Sequence, residues 1–322
     1  MIACDEPSSS PHILVTGGSG FIGRTLVKKL VAQGTSVIVY DTVPFPDPEP
    51  INSCVKYFPG DIRDTQTLKM IFREFRVEGA IHLAAVSRVI TAQNDPELCW
   101  DVNVNGTRSL LDAITTSPQK PWIIMGSSRE VYGEPEILPV PESYGFHPIN
   151  IYGEAKAEGE RLLREYAETH GLNSVILRFS NVYGARYDIL DRVIPRFILK
   201  ALQGEALEIH GGGQIFDFTH VDDTTHGIFL AVAYLQKQMN NGSFDDFHIL
   251  TGTPHSLQDV VAMIEMVLDK PLNIVYTSPR NYDVVQFFGD PSKAYAKLGF
   301  QASIPLEVGI QKTVELFQEE EI

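Results

Sequence analysis

The chain has 322 residues, with 41 acidic against 26 basic side chains and a formal charge of −15 at neutral pH. An apolar fraction of 43% fills an ordinary core over that length, which excludes overall disorder and allows one large domain or two coupled ones. The acidic balance offers no broad positive footprint, which excludes nucleic acid and anionic lipid as general partners.

The start, MIACDEPSSSP, lacks the basic and apolar regions of a signal peptide, and no apolar run is long enough to cross a bilayer. A soluble cytoplasmic protein with a frayed start is expected. Cys4, Cys54 and Cys99 are far apart and show neither CxxC spacing nor a nearby His pair, so neither a disulfide framework nor a structural metal is expected.

From His12 a β-branched run leads through a glycine turn into an amphipathic stretch, Phe21 to Ala32, and then a second β-branched run, Ser36 to Tyr40. This pattern is a βαβ unit. Strand-like runs recur at 80–83, 122–125 and 174–177, each separated by enough chain for a crossover helix, which predicts a doubly wound parallel α/β sheet. Beyond Gly184 the pattern loosens into helices at 193–203, 222–238 and 257–268 and a loop at 210–214, as expected of a smaller C-terminal cap. The division predicted is a nucleotide-binding domain over 12–184, with about 215–250 returning to it, and a mainly substrate-binding part over 185–322. Only Pro44–Pro50 and Glu319–Glu321 are compositionally biased, and no linker separates the two parts.

Gly17, Gly20 and Gly23 stand three apart between a strand and a helix. The first permits a tight turn, the second lets the backbone approach a pyrophosphate, and the third lets the helix pack closely on the strand. Phe21 and Ile22, between the last two glycines, fall within the same cofactor-binding turn. Asp41 ends the second strand, where a carboxylate accepts both ribose hydroxyls of adenosine and repels a 2′-phosphate, so NAD is favoured over NADP.

Tyr152 and Lys156 lie four apart on one helical face. A phenol with a pKa near 10 needs nearby positive charge to act as a base, which Lys156 and a nicotinamide ring supply together. Taken alone, such a pair reads equally well as a solvated helix face.

The glycine turn, Tyr152 and Lys156 occur with TGGSGFIG (16–23), GDI (60–62), HLAA (82–85), NVNGT (103–107), GSSREVYGE (126–134), YGEAK (152–156), RFSNVYG (178–184), GGGQIFDFTHVDD (211–223) and DPSKAYAKLGF (290–300). In this order and at these separations the chain resembles the extended short-chain dehydrogenase/reductases, the NAD-dependent epimerase/dehydratase family, and its nucleotide-sugar branch. The resemblance implies a Rossmann-type domain with a substrate-binding cap, tightly held NAD, a UDP-sugar substrate and a homodimer. Carried over by position, Asp61 and Ile62 contact the adenine, Ala84 and Ala85 line the cofactor, and Lys156 holds the nicotinamide ribose. Ser128 hydrogen-bonds the sugar hydroxyl that Tyr152 deprotonates, and the first step is oxidation at C4.

Glu130 lies where family members with chemistry beyond C4 carry glutamate, whereas simple 4-epimerases have a small residue or threonine. A 4-keto sugar has an acidic C5–H, so Glu130 is a candidate base, although a strand-end surface carboxylate would look the same. Arg129 replaces the aspartic acid of the 4,6-dehydratases and cannot donate a proton to a leaving hydroxyl. The expectation placed first is dehydration across C5 and C6 with hydride returned to C4, giving a 5,6-ene, as in the hexosamine 5,6-dehydratase of tunicamycin biosynthesis. The alternatives are a uronate decarboxylase, with Arg129 or Arg88 pairing with a C6 carboxylate, a plain 4-epimerase, and an NAD-binding regulator without chemistry.

Asn181 and Arg280 resemble diphosphate ligands of the family. Phe216 stands where the family usually has arginine, and losing a charged hydrogen bond worth on the order of 1.5–3 kcal/mol calls for another donor, with Arg186, Arg192 or Arg196 nearest. His210 and His220 flank this loop and receive no role.

Overall fold

The computed structural model describes residues 10–46, 54–238 and 242–319. The expected frayed start, most of the Pro44–Pro50 stretch and the last two residues of Glu319–Glu321 lie outside the described residues. The elements in chain order are β1 (His12–Thr16), α1 (Phe21–Ala32), β2 (Ser36–Asp41), β3 (Val55–Pro59), α2 (Thr65–Glu74) and β4 (Val77–His82). There follow α3 (Val89–Asn94), α4 (Pro96–Trp100), a π turn (Asp101–Asn105), α5 (Gly106–Thr115), β5 (Trp122–Ser128) and a 3-10 turn (Arg129–Tyr132). Next come α6 (Ile151–His170), β6 (Ser174–Phe179), β7 (Asn181–Tyr183), α7 (Val193–Gln203), β8 (Leu207–His210), β9 (Ile215–His220) and α8 (Val221–Lys237). The chain ends with β10 (Phe244–Ile249), β11 (Pro254–Ser256), α9 (Leu257–Leu268), β12 (Ile274–Thr277), β13 (Gln286–Phe287), α10 (Ser292–Leu298) and α11 (Leu306–Gln318).

Seven parallel strands form the central sheet in the order β10-β6-β5-β4-β1-β2-β3. Their side chains alternate between two apolar layers, as a strand covered on both faces must. Ile13, Val15, Val37, Val39, Trp122, Ile124, Val175 and Leu177 pack into the layer that α1 and α8 cover. Leu14, Ile38, Tyr40, Ile123, Met125 and Ile176 pack into the opposite layer with α2, α5 and α6.

A third apolar cluster forms the C-terminal region, where Phe197, Phe216, Phe218, Val260, Phe287 and Ile310 meet. It is built on β11-β9-β13 with β7 pairing β9, and on the pair β12-β8. One expectation is corrected: Cys54, just before β3, is disulfide-bonded. Cys99 is free and buried. No helix among the described residues is long and apolar enough to cross a membrane.

Candidate active site

A cleft of about 840 Å³ opens at the carboxyl ends of the sheet strands. Strand order reverses direction around β1, whose neighbours are β2 and β4, the place where open parallel sheets bind ligands. Gly17 has φ +70°, and a Cβ there would lie 2.5 Å from the Ala84 nitrogen, so the turn reaches across to the end of β4. A Cβ on Gly23 would lie 2.1 Å from the Gly17 carbonyl oxygen and 2.7 Å from the Gly18 Cα. Gly20, by contrast, would meet nothing closer than 3.3 Å, which keeps its backbone open to an approaching pyrophosphate.

Gly23→Ala is therefore expected to force the turn apart. We expect NAD retained through purification to fall about tenfold or more, measured as nucleotide released on denaturation; full retention would show that the close packing is not needed.

Asp41 closes β2 and accepts from the Ser19 backbone N–H at 2.9 Å and from that of Val43 at 3.0 Å, so its carboxylate stands beside the glycine turn. Phe21, Ile22, Asp61, Ile62, Ala84 and Ala85 also line the cleft. The Asp61 carboxylate is held by Arg63, whose hydrogen bonds lower its pKa, and its carbonyl accepts from Tyr40 at 2.8 Å.

The loop after β4 is fixed from below. The π turn aims Asn103 at Val86, giving 2.8 and 3.0 Å bonds to its backbone N–H and carbonyl. His82 bridges Thr16 at 2.7 Å and Thr107 at 3.0 Å; burial, then the Lys156 charge, lowers its pKa to about 3, so it stays neutral. His82, Asn103 and Thr107 belong to motifs visible in the sequence, but their joint support of this loop was not.

Tyr152 sits in the first turn of α6 and Lys156 one turn later, both facing the end of β5. Burial pushes the Tyr152 phenol up to about 12, while a hydrogen bond from Ser128 and the Arg192 charge act against that rise. Burial pulls the Lys156 ammonium down to about 8, and it donates to the Gly126 carbonyl at 2.9 Å.

Arg129 and Glu130 occupy the 3-10 turn and are 8% and 6% exposed. Their side chains pair at 2.9 Å, and the other Glu130 oxygen accepts from Asn150 Nδ2 at 2.8 Å. Asn150 Oδ1 in turn caps α6 by accepting from the Gly153 N–H at 2.8 Å. The sequence reading missed Asn150, whose position just before the YGEAK helix was its only signal.

The far wall is cationic. Arg192, Arg196 and Arg280 line the cleft with His210, Gln214 and Phe216. Arg196 carries a buried Nε without a partner, and its pKa is lowered by burial and by the charge of Arg280. The carboxylates of Glu208, Asp191 and Asp283 offset part of that charge. Asn181 lines the same wall and donates to the Asp217 carbonyl at 3.3 Å. Arg280 also bonds Asp283 at 2.7 Å, and Arg88 is ion-paired with Asp191. Arg186 differs from the other candidate donors: Ala185 turns inward, leaving Arg186 exposed and outside the cleft lining. His210 bonds Thr277 at 2.6 Å, and His220 caps α8 by accepting from the Asp222 N–H.

A glycine turn at the crossover of a parallel sheet, an acidic residue ending β2, and a Ser-Tyr-Lys group facing them define an NAD-dependent enzyme of the dehydrogenase/reductase type. The comparisons narrow the class. A sequence profile of the NAD dependent epimerase/dehydratase family matches residues 13–245, and the chain belongs to that family. The UDP-glucose 4-epimerase of Halalkalibacterium halodurans is 32% identical over 309 residues, 91% of each chain. The crystal structure of a UDP-glucose 4-epimerase from Thermotoga maritima with UDP-glucose has a TM-score of 0.87 at 33% identity, covering 96% of this chain and 99% of that one. DesIV, a dTDP-glucose 4,6-dehydratase from Streptomyces venezuelae with NAD bound, has a TM-score of 0.86 at 27% identity over 96% and 97%. NAD is the cofactor, and the open turn at Gly20 and the carboxylate of Asp41 fit it.

Proposed function

We propose that the chain interconverts the C4 epimers of a UDP-sugar. Ser128 holds the 4-hydroxyl and Tyr152 takes its proton, with the charges of Lys156 and Arg192 favouring the phenolate. NAD, when bound, supplies the acceptor and donor of the C4 hydride. Return of hydride and proton on the opposite face inverts C4, so atoms and electrons balance with no net redox change. Arg192, Arg196, Arg280 and Asn181 take the diphosphate, with Arg196 supplying the cation missing at Phe216.

The observation that carries this reading over elimination is the pairing of Glu130 with Arg129, where an elimination would need an acid. Both its oxygens are bonded, one to Arg129 and one to Asn150, and Arg129 has no proton to give a leaving hydroxyl. The similarity to UDP-glucose 4-epimerases supports the same choice.

Dehydration to a 5,6-ene is the second reading. Glu130 lines the cleft, and its charge raises the pKa of Tyr152, so it stands beside the reacting end. Product mass and NMR after incubation with UDP-hexoses, UDP-N-acetylhexosamines and UDP-uronates in deuterated water separate the two. We expect an unchanged carbon skeleton, inverted C4 and no deuterium at C5. Loss of one water with deuterium at C5, abolished in Glu130→Gln, would replace epimerisation by elimination. The family resemblance also implies a homodimer, which light scattering tests.

A further inference from the structure

We infer that Arg129 reads a carboxylate on the sugar, so that a UDP-hexuronate is the preferred substrate. The inference rests on the C4 chemistry proposed above and adds which sugar undergoes it. Arg129 Nη2 pairs with Glu130, but Nη1 is buried without any partner. The guanidinium lies 4.5 Å from the Phe216 ring centroid and 5.7 Å from that of Phe287, whose faces attract its charge but give Nη1 no oxygen acceptor. A buried charged donor left unbonded is costly unless a ligand completes it.

Its direction is also fixed. Asn150 holds Glu130 and caps the helix that carries Tyr152, so the cation and the catalytic phenol are positioned from one helix end. Glu130 is on this account a positioning residue for Arg129.

A nucleotide sugar offers two places for an anion, the diphosphate and a carboxylate at C6. The diphosphate has its own cations on the far wall, where Arg196 also presents an unpartnered nitrogen. Arg129 pairs with Glu130, whose charge acts on the Tyr152 phenol, and this pairing places it toward the reacting end of the sugar. The C6 group is attached to C5, next to the C4 that reacts. A planar carboxylate there matches the donor fork of an arginine.

The test uses the full chain with NAD bound. kcat/KM is measured for UDP-glucuronate and UDP-glucose, and the inhibition constant for UDP, in the native protein, Arg129→Lys and the double variant Arg129→Met/Glu130→Gln. The double variant leaves no buried lone charge, and its NAD content reports the fold. We expect the native protein to prefer the uronate, and both variants to lose about 100-fold on it. Loss on UDP-glucose is expected to be below about tenfold, with UDP inhibition unchanged. Equal loss on both sugars with weakened UDP inhibition assigns Arg129 to the diphosphate and overturns the inference. Turnover of UDP-glucose alone also overturns it while leaving the C4 reading intact; turnover of neither sugar overturns the C4 reading itself.

Discussion

Tyr152→Phe is expected to lower turnover by about a thousandfold while the protein keeps its NAD. The change removes one oxygen from a buried site and leaves the ring packed against its layer. The glycine turn, Asp41 and Lys156 are untouched, so the nucleotide site persists. What disappears is the group that takes the 4-hydroxyl proton and the hydrogen bond with Ser128. Without a proton acceptor, loss of hydride from C4 would leave a protonated carbonyl, which is why the effect falls on the chemical step. Stopped-flow absorbance of bound NADH after mixing with UDP-sugar measures that step directly. Native-like reduction in Tyr152→Phe would remove the phenol from the mechanism.

Lys156→Met should separate stability from activity. Burial lowers the folded pKa of Lys156 to about 8, below that of an exposed lysine. Between about 8 and the unfolded value near 10.4 the unfolded chain binds more protons, so stability rises with pH across that window. Below it the buried charge opposes folding by about 3 kcal/mol at most, taking 1.36 kcal/mol per unit. Methionine removes that cost and keeps most of the volume, while leaving the Gly126 carbonyl without its donor, a loss of about 1–3 kcal/mol. The expected result is a melting temperature at neutral pH no lower than native and a flatter stability profile between about pH 8 and 10.4. Turnover should drop about a hundredfold, because the cleft that Tyr152 lines loses a buried cation. A lower melting temperature, or a pH slope identical to native, would show that Lys156 is not strained by burial.

The Rossmann-type sheet was legible in β1, β2, β5 and β6 because their apolar runs are continuous, as strands covered on both faces require. β10 was not. Its sequence FDDFHI reads as a polar loop, and it becomes a strand because Lys293 and Lys297 neutralise Asp245 while Arg178 pairs with Asp246 at 3.0 Å. β3 was hidden for a different reason, since all but its last residue are half-buried and its pattern is weak. Arg178 itself appeared only as part of RFSNVYG, yet it is 2% exposed and pairs with Glu160 at 2.6 Å, also 2% exposed, joining β6 to α6.

The sequence by itself determined what depends on neighbours along the chain. The glycine turn needs three residues at fixed spacing, the acid at Asp41 needs only the end of a strand, and Tyr152 and Lys156 share a face because a helix repeats every 3.6 residues. Tertiary structure decided everything that depends on charges meeting across the fold. It paired Arg129 with Glu130 and tied Glu130 to Asn150, turned Arg186 to the surface, and placed Arg196 beside Arg280 on the far wall. The physical reason is that the field at a buried group is set by groups distant in sequence and close in space, and no local pattern encodes that distance.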